Sequence, residues 1–175
     1  FKLNISTGQY IEQIYTLPGE GYELEYELKF VGPDNIIKDE LKFKWIDKLR
    51  KLEQDMEYSR MYSTVNYFSN EDFNQLSGGS GFGCSRSSAD ELVREQIQYP
   101  VKWISMKQRF FSAALISEYF FPKAELTSYI DITDSNTVKI LIASLDIPIG
   151  DIKTGKGRFK FYFGPNNYHI LKNVT

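Results

Sequence analysis

The chain has 175 residues, 42% hydrophobic and 25% charged, with 21 Lys plus Arg, 23 Asp plus Glu and a formal net charge of −2. This is the composition of a globular protein, and it excludes both a disordered tail and the basic footprint of a dedicated nucleic-acid binder. A single cysteine, Cys84, excludes an internal disulfide. The longest apolar stretch, Ile140 to Ile149, is broken by Ser144, Asp146 and Pro148 and falls short of the roughly 18 residues of a membrane span.

Aromatic residues are the outlier at 15%, from 13 Phe, 12 Tyr and 2 Trp. Such side chains suit half-buried pleated surfaces, so a β-rich fold is expected. Tyr10 to Leu17 reads as a strand, Pro18-Gly19-Glu20-Gly21 as a turn and Tyr22 to Phe30 as the returning strand. In that strand Tyr22, Leu24, Tyr26, Leu28 and Phe30 alternate with Glu23, Glu25, Glu27 and Lys29. Period two means one buried and one wet face, as in an antiparallel sheet. Leu41, Phe43 and Trp45, alternating with Lys42 and Lys44, give a third strand. Asp47 to Glu57 is ambiguous: Leu49, Leu52 and Met56 trace a helical stripe in a short, highly charged segment. Tyr58 to Phe68 is rich in β-formers and reads as extended, and Asn70 to Leu76 as a short helical turn.

Residues 77–88 break the pattern with a Gly/Ser composition that predicts a flexible loop. Ser88-Ala89-Asp90-Glu91 then has capping-box spacing, which predicts a short helix from Ala89 to about Gln98, stopped by Pro100. Strands resume at Val101 to Met106, Arg109 to Ser117, Ala124 to Thr133, Val138 to Leu145 and Arg158 to Phe163. In the last, Phe159, Phe161 and Phe163 share one face and Arg158, Lys160 and Tyr162 the other. Asp134-Ser135-Asn136 and Gly155-Lys156-Gly157 are turn signals. Pro165, after Gly164, suits the first position of a helix running to about Asn173. About eight strands and two or three short helices make an all-β, mainly antiparallel sandwich, expected as a single domain over residues 1–175.

Little in the chain carries chemistry. Gly150 to Gly157 spells most of a phosphate-binding loop, but Gly157 stands where a magnesium-ligating Ser or Thr belongs, and a strand follows where a helix should open. A hairpin turn is the expectation there. The glycines from Gly78 to Gly83 lack the strand and spacing of a dinucleotide site. Cys84 and His169 are the sole thiol and imidazole, too few for the usual zinc set, and Cys84 falls in the expected loop. The reading therefore assigns no catalytic residue, no metal ligand and no cofactor. Lys42, Lys44, Lys48, Arg50 and Lys51, interleaved with Glu53, Asp55 and Glu57, read as a solvated face, with docking to an acidic partner or anionic lipid as the alternative. Trp103 and the pair Phe110 and Phe111 are expected in the core, with Ala113 and Ala114 allowing close packing.

Two stretches stand out. One is Lys102-Trp103-Ile104-Ser105-Met106-Lys107-Gln108, followed by Phe110-Phe111 and Leu115-Ile116. The other is Tyr162-Phe163-Gly164-Pro165-Asn166-Asn167-Tyr168 with Leu171-Lys172. Together with the hairpin from Tyr15 to Leu24 and the series Trp45, Leu49, Glu53, Tyr62, Tyr67, they resemble the periplasmic domain of the YidC membrane protein insertases, in their Bacteroidetes-type form.

The resemblance implies a β-supersandwich of galactose-mutarotase-like type with a short C-terminal helix leading back to the membrane. It implies a place on the periplasmic face of the bacterial inner membrane. It also implies a non-catalytic role through protein–protein contacts, helping membrane proteins insert and fold with or without the Sec translocon. The implied partners are Sec translocon subunits and nascent membrane proteins, with the membrane reached through flanking segments. Trp103, Lys107, Gln108, Phe110, Phe111, Phe163, Gly164 and Pro165 are the motif residues, read as structural. The chain, starting at Phe1 without a Met, is expected to be a piece lacking the family's N-terminal strands. The membrane-embedded core, with its functional arginine, has no counterpart here. Mutarotase chemistry needs histidine and acidic groups around a sugar, and a lone His169 does not supply them. A sugar-binding or degenerate mutarotase-like module is the alternative function.

Overall fold

Alternation of apolar and charged residues resolves into two antiparallel sheets in the computed structural model, which describes residues 1–32, 40–76 and 92–174. The elements run β1 (Lys2–Ser6), β2 (Gln9–Thr16), β3 (Glu23–Val31), β4 (Leu41–Arg50), α1 (Met56–Tyr62), β5 (Thr64–Ser69), β6 (Asp72–Gln75) and β7 (Val93–Ile97). They continue with β8 (Val101–Lys107), β9 (Phe111–Phe121), β10 (Ala124–Tyr129), β11 (Thr137–Ile147), α2 (Ile149–Lys153), β12 (Arg158–Pro165) and α3 (Tyr168–Leu171). Eight strands form one sheet in the order β1-β2-β3-β12-β9-β8-β5-β6, and four form the other in the order β4-β11-β10-β7.

The sheets pack face to face. Tyr26 and Phe161 of the larger sheet meet Phe43 of the smaller at ring separations of 6.3 Å, and Trp45 stands edge-on to Phe161 at 6.0 Å. Val65, Ile104, Leu126, Leu141 and Leu145 between them are fully buried. The turn signal at Asp134 is built as its composition suggests: the carboxylate accepts from the Asn136 amide at 2.9 Å and the Thr137 hydroxyl at 2.7 Å, and pairs with Lys48 at 2.9 Å. The Lys48 ammonium and these hydrogen bonds hold Asp134 well below the usual carboxylate range.

Several expectations are corrected. Tyr58 to Tyr62 is helical, not extended, because Asp55 caps α1 by accepting from the Tyr58 amide at 2.9 Å. The Tyr58 and Tyr62 rings then meet one turn apart, at 4.7 Å. Only Thr64–Ser69 of that segment is strand. Asn70 to Leu76 holds no helical turn. Asn70 and Glu71 both have positive φ, 54° and 64°, and make the tight corner of the β5-β6 hairpin.

The expected helix reaching Gln98 is replaced over Val93–Ile97 by β7, paired with β10. Its inward Glu95 is accommodated by the Tyr67 hydroxyl, which donates to it at 2.5 Å. Residues 77–91, with the Gly/Ser stretch and the start of that helix, lie outside the described residues. Gly150 to Gly157 is not a plain hairpin turn: its first four residues belong to the short helix α2. Pro165 ends β12 instead of opening a helix; α3 starts at Tyr168, capped by the Asn167 side chain.

Leu141→Ala should cost about 2–5 kcal/mol, the range for emptying a packed aliphatic site. Ile46→Ala, on the outer face of β4 and 55% exposed, should cost less than about 0.5 kcal/mol. Urea denaturation of the two variants beside the wild type checks both.

Candidate functional site

Both distinctive motifs end at the same corner of the sandwich. The first closes in the turn from β8 to β9, where the Gln108 amide donates to the Phe111 carbonyl at 2.8 Å. The second leaves β12 at Pro165, opposite Phe111 in the adjacent strand. Asn166 locks them together. Its side-chain amide donates to the carbonyls of Gln108 at 2.6 Å, Arg109 at 3.2 Å and Phe111 at 3.4 Å. Its backbone amide donates to the Phe110 carbonyl at 2.7 Å, and its side-chain oxygen accepts from the Ser112 hydroxyl.

Gly164 and Tyr162 set the other side of the corner. Tyr162 is 1% exposed, and its hydroxyl donates to the Pro165 carbonyl at 2.7 Å. Burial pushes this phenol above its ordinary pKa. A Cβ on Gly164 would stand 2.5 Å from the Tyr162 hydroxyl oxygen and 2.8 Å from the Tyr22 ring, so only glycine lets the two rings close over the strand.

An open cleft of about 510 Å³ lies against this corner, lined by Tyr22, Met106, Gln108, Phe111, Phe163 and Asp47. Phe163 stacks on the buried Phe161 at 5.6 Å and is itself 51% exposed, because β12 runs past the core at its end. Asp47 sits at an inward position of β4, in series with Phe43, Trp45 and Leu49. Among the described residues its carboxyl has no hydrogen-bond or ion-pair partner, and desolvation alone raises its pKa. Arg109 does not neutralise it. That guanidinium binds Glu53 at 2.7 Å and lies over the rings of Tyr58 at 4.7 Å and Phe110 at 4.6 Å.

The motif residues thus divide. Lys107, Gln108, Phe110, Phe111, Phe163, Gly164 and Pro165 gather at the corner, whereas Trp103 lies farther along β8. Trp103 is not in the core: it is half-buried on the outer face of the larger sheet, between Phe68 at 6.1 Å and Phe73 at 6.0 Å. Alternation explains this, since neighbouring Ile104 takes the inward place. Phe110 and Phe111 are also outside the core, 54% and 55% exposed, because they sit at the hairpin tip and strand end. The sequence reading missed Asp47. Its signal was there: the alternation Leu41, Phe43, Trp45 continues inward to Asp47 and Leu49 once the strand is run on to Arg50.

Among the described residues no group of three or more His, Cys, Asp or Glu side chains could hold a metal ion, and no helix is long and apolar enough to cross a membrane. The arrangement offers binding surface: aromatic walls together with the Gln108 side-chain amide and the Asp47 carboxyl, both unpartnered among the described residues.

Asn166→Ala removes the side-chain hydrogen bonds that tie β12 to the β8-β9 turn and should cost about 1–2 kcal/mol, whereas Phe110→Ala should cost less than about 1 kcal/mol, read by urea denaturation. Asp47 gives a signed pH effect. Its folded pKa lies above the unfolded value of about 3.9, so its penalty is absent below that value and fully present above the folded pKa. Asp47→Asn should therefore raise the melting temperature at pH 7, and the gain should vanish on titrating down through the carboxylate range.

The sequence pattern of the YidC periplasmic domain family matches residues 1–175. The Membrane protein insertase YidC of Amoebophilus asiaticus is 31% identical over 95% of this chain, and that of Cytophaga hutchinsonii 30% identical over 99%. The corresponding insertase of Parabacteroides distasonis is 28% identical over 98%. These matches cover 27%, 28% and 26% of the relatives, so the chain spans under a third of their length. The chain belongs to the YidC periplasmic domain family.

Proposed function

We propose that the chain serves membrane protein insertion as a non-catalytic binding domain on the periplasmic side. The observation that carries this reading is the corner itself. Two motifs far apart in sequence are pinned by Asn166, and they hold an aromatic cleft open beside an edge strand. Such rigid aromatic surface suits polypeptide recognition, where a few large side chains in a preformed cleft carry most of the affinity. The partners are nascent membrane-protein segments emerging into the periplasm and subunits of the Sec translocon. Insertion proceeds with or without that translocon, and the domain also attends the folding of the inserted chain.

Photocrosslinking in cells tests this. A benzophenone side chain replaces Phe163 in the full-length insertase, with the same label at Phe73 on the opposite face as the control. Adducts to nascent membrane proteins or translocon subunits at 163 above the level at 73 are expected. Equal or absent labelling at the two positions sinks the proposal.

A further inference from the structure

The cleft pairs apolar walls with two polar side chains that have no hydrogen-bond or ion-pair partner among the described residues. Asp47 carries a charge at an inward position of β4 with no partner among the described residues. Gln108 uses its backbone amide and carbonyl within the corner, but its side-chain amide makes no hydrogen bond among the described residues. Cations on β4 itself cannot reach inward. Lys42, Lys44, Lys48 and Arg50 occupy the exposed positions that alternate with Asp47. Arg109 is held by Glu53 and by two rings. An ionised acid left partly desolvated and unpaired is a cost to the folded domain, and above the carboxylate range a cation that pairs with it recovers that cost.

Aromatic rings define what kind of cation. Tyr22, Phe111 and Phe163 present ring surface to the same space. Rings attract ammonium and guanidinium groups and also pack the methylene stems that carry them. A bare metal ion would find one carboxylate and one amide, too few ligands for a hard cation. A lysine or arginine side chain, by contrast, brings its own apolar stem and needs one charge at its tip.

We infer that this cleft seats the basic side chain of an extended, apolar polypeptide segment, with the ammonium or guanidinium on Asp47, the Gln108 amide oxygen as second acceptor and the stem against Phe111 and Phe163. The inference rests on the proposed role in membrane protein insertion and names the feature of the substrate that the domain reads. It makes the domain selective for basic residues next to apolar stretches.

Peptide binding to the full-length insertase tests this, in nanodiscs of phosphatidylglycerol, which contribute no ammonium of their own. The probes are fluorescein-labelled extended peptides with leucine and threonine flanks and a central lysine, norleucine or glutamate. Wild type should bind the lysine peptide about tenfold or more tighter than the norleucine one, the gain of one charge-assisted hydrogen bond in a partly dry site. Asp47→Asn should bring that ratio close to one. Asp47→Lys should invert it in favour of glutamate.

Equal affinities for lysine and norleucine in wild type overturn the inference. So does a lysine preference that survives Asp47→Asn, or no measurable binding of any probe. Photocrosslinks at 163 that persist while the lysine preference is missing would remove this inference and leave the insertion role. A lysine preference without those crosslinks would do the opposite.

Discussion

Strand β12 is the constraint on which the rest depends. It lies between β3 and β9 in the larger sheet, so it joins the N-terminal hairpin to the motif strands. Without it the remaining seven strands fall into β1-β2-β3 and β9-β8-β5-β6, with no strand pairing between the two groups. Its inward Phe159 and Phe161 rings meet Tyr26 at 5.9 and 5.7 Å, and Phe159 stacks on Phe121 at 5.5 Å. One strand therefore supplies both the hydrogen-bond ladder and the aromatic centre of the core. Because Arg158 pairs with Glu27, most of the chain must be in place before the sheet closes. Such non-local pairing makes for slow folding.

The site is a by-product of the same strand. Where β12 leaves the core, its alternation continues for one more step and puts Phe163 half into solvent. The chain then turns at Gly164, Pro165 and Asn166, and the asparagine side chain donates to the Gln108 and Arg109 carbonyls of the β8-β9 turn. Rigidity at this point comes from hydrogen bonds to the backbone, not from burial. That is why the rings around it can stay exposed and still be held in place. β4 closes the cleft from the other sheet and brings Asp47 with it. The structure accepts a desolvated carboxyl here, which a domain built for stability alone would replace with Val or Leu.

Strands with clean alternation were legible before any coordinates. The β3 sequence, with four acidic or basic residues outward, could be placed on one sheet face directly, and its hairpin with β2 followed from Pro18 to Gly21. The motif resemblance picked out residues that meet at the corner, whereas side-chain size alone suggested a core place for Phe110 and Phe111. What escaped were features decided by single polar contacts. Asp55 turned a β-rich stretch into α1, and two left-handed residues made Asn70-Glu71 a hairpin corner. The long β9 hides another: Val101 faces Phe121 while Trp103 faces Ile116, so several residues bulge out around Phe120, whose φ is 83°. Nothing in the local composition announces that bulge, because its cause is the register of the neighbouring strand.

By itself the sequence determined the all-β class, the antiparallel pairing of the first hairpin and the family, since these depend on periodicity and on local motifs that survive in one dimension. The tertiary structure decided which aromatic rings are core and which are surface. Phe110, Phe111 and Trp103 look like core residues by size, yet each faces away from the second sheet or beyond its end. It also decided that Asp47 would share a cleft with Phe163, a residue more than a hundred positions away. Hydrophobicity sets how much a side chain gains from burial, but only the packing of one sheet on another determines whether there is anything to bury it against.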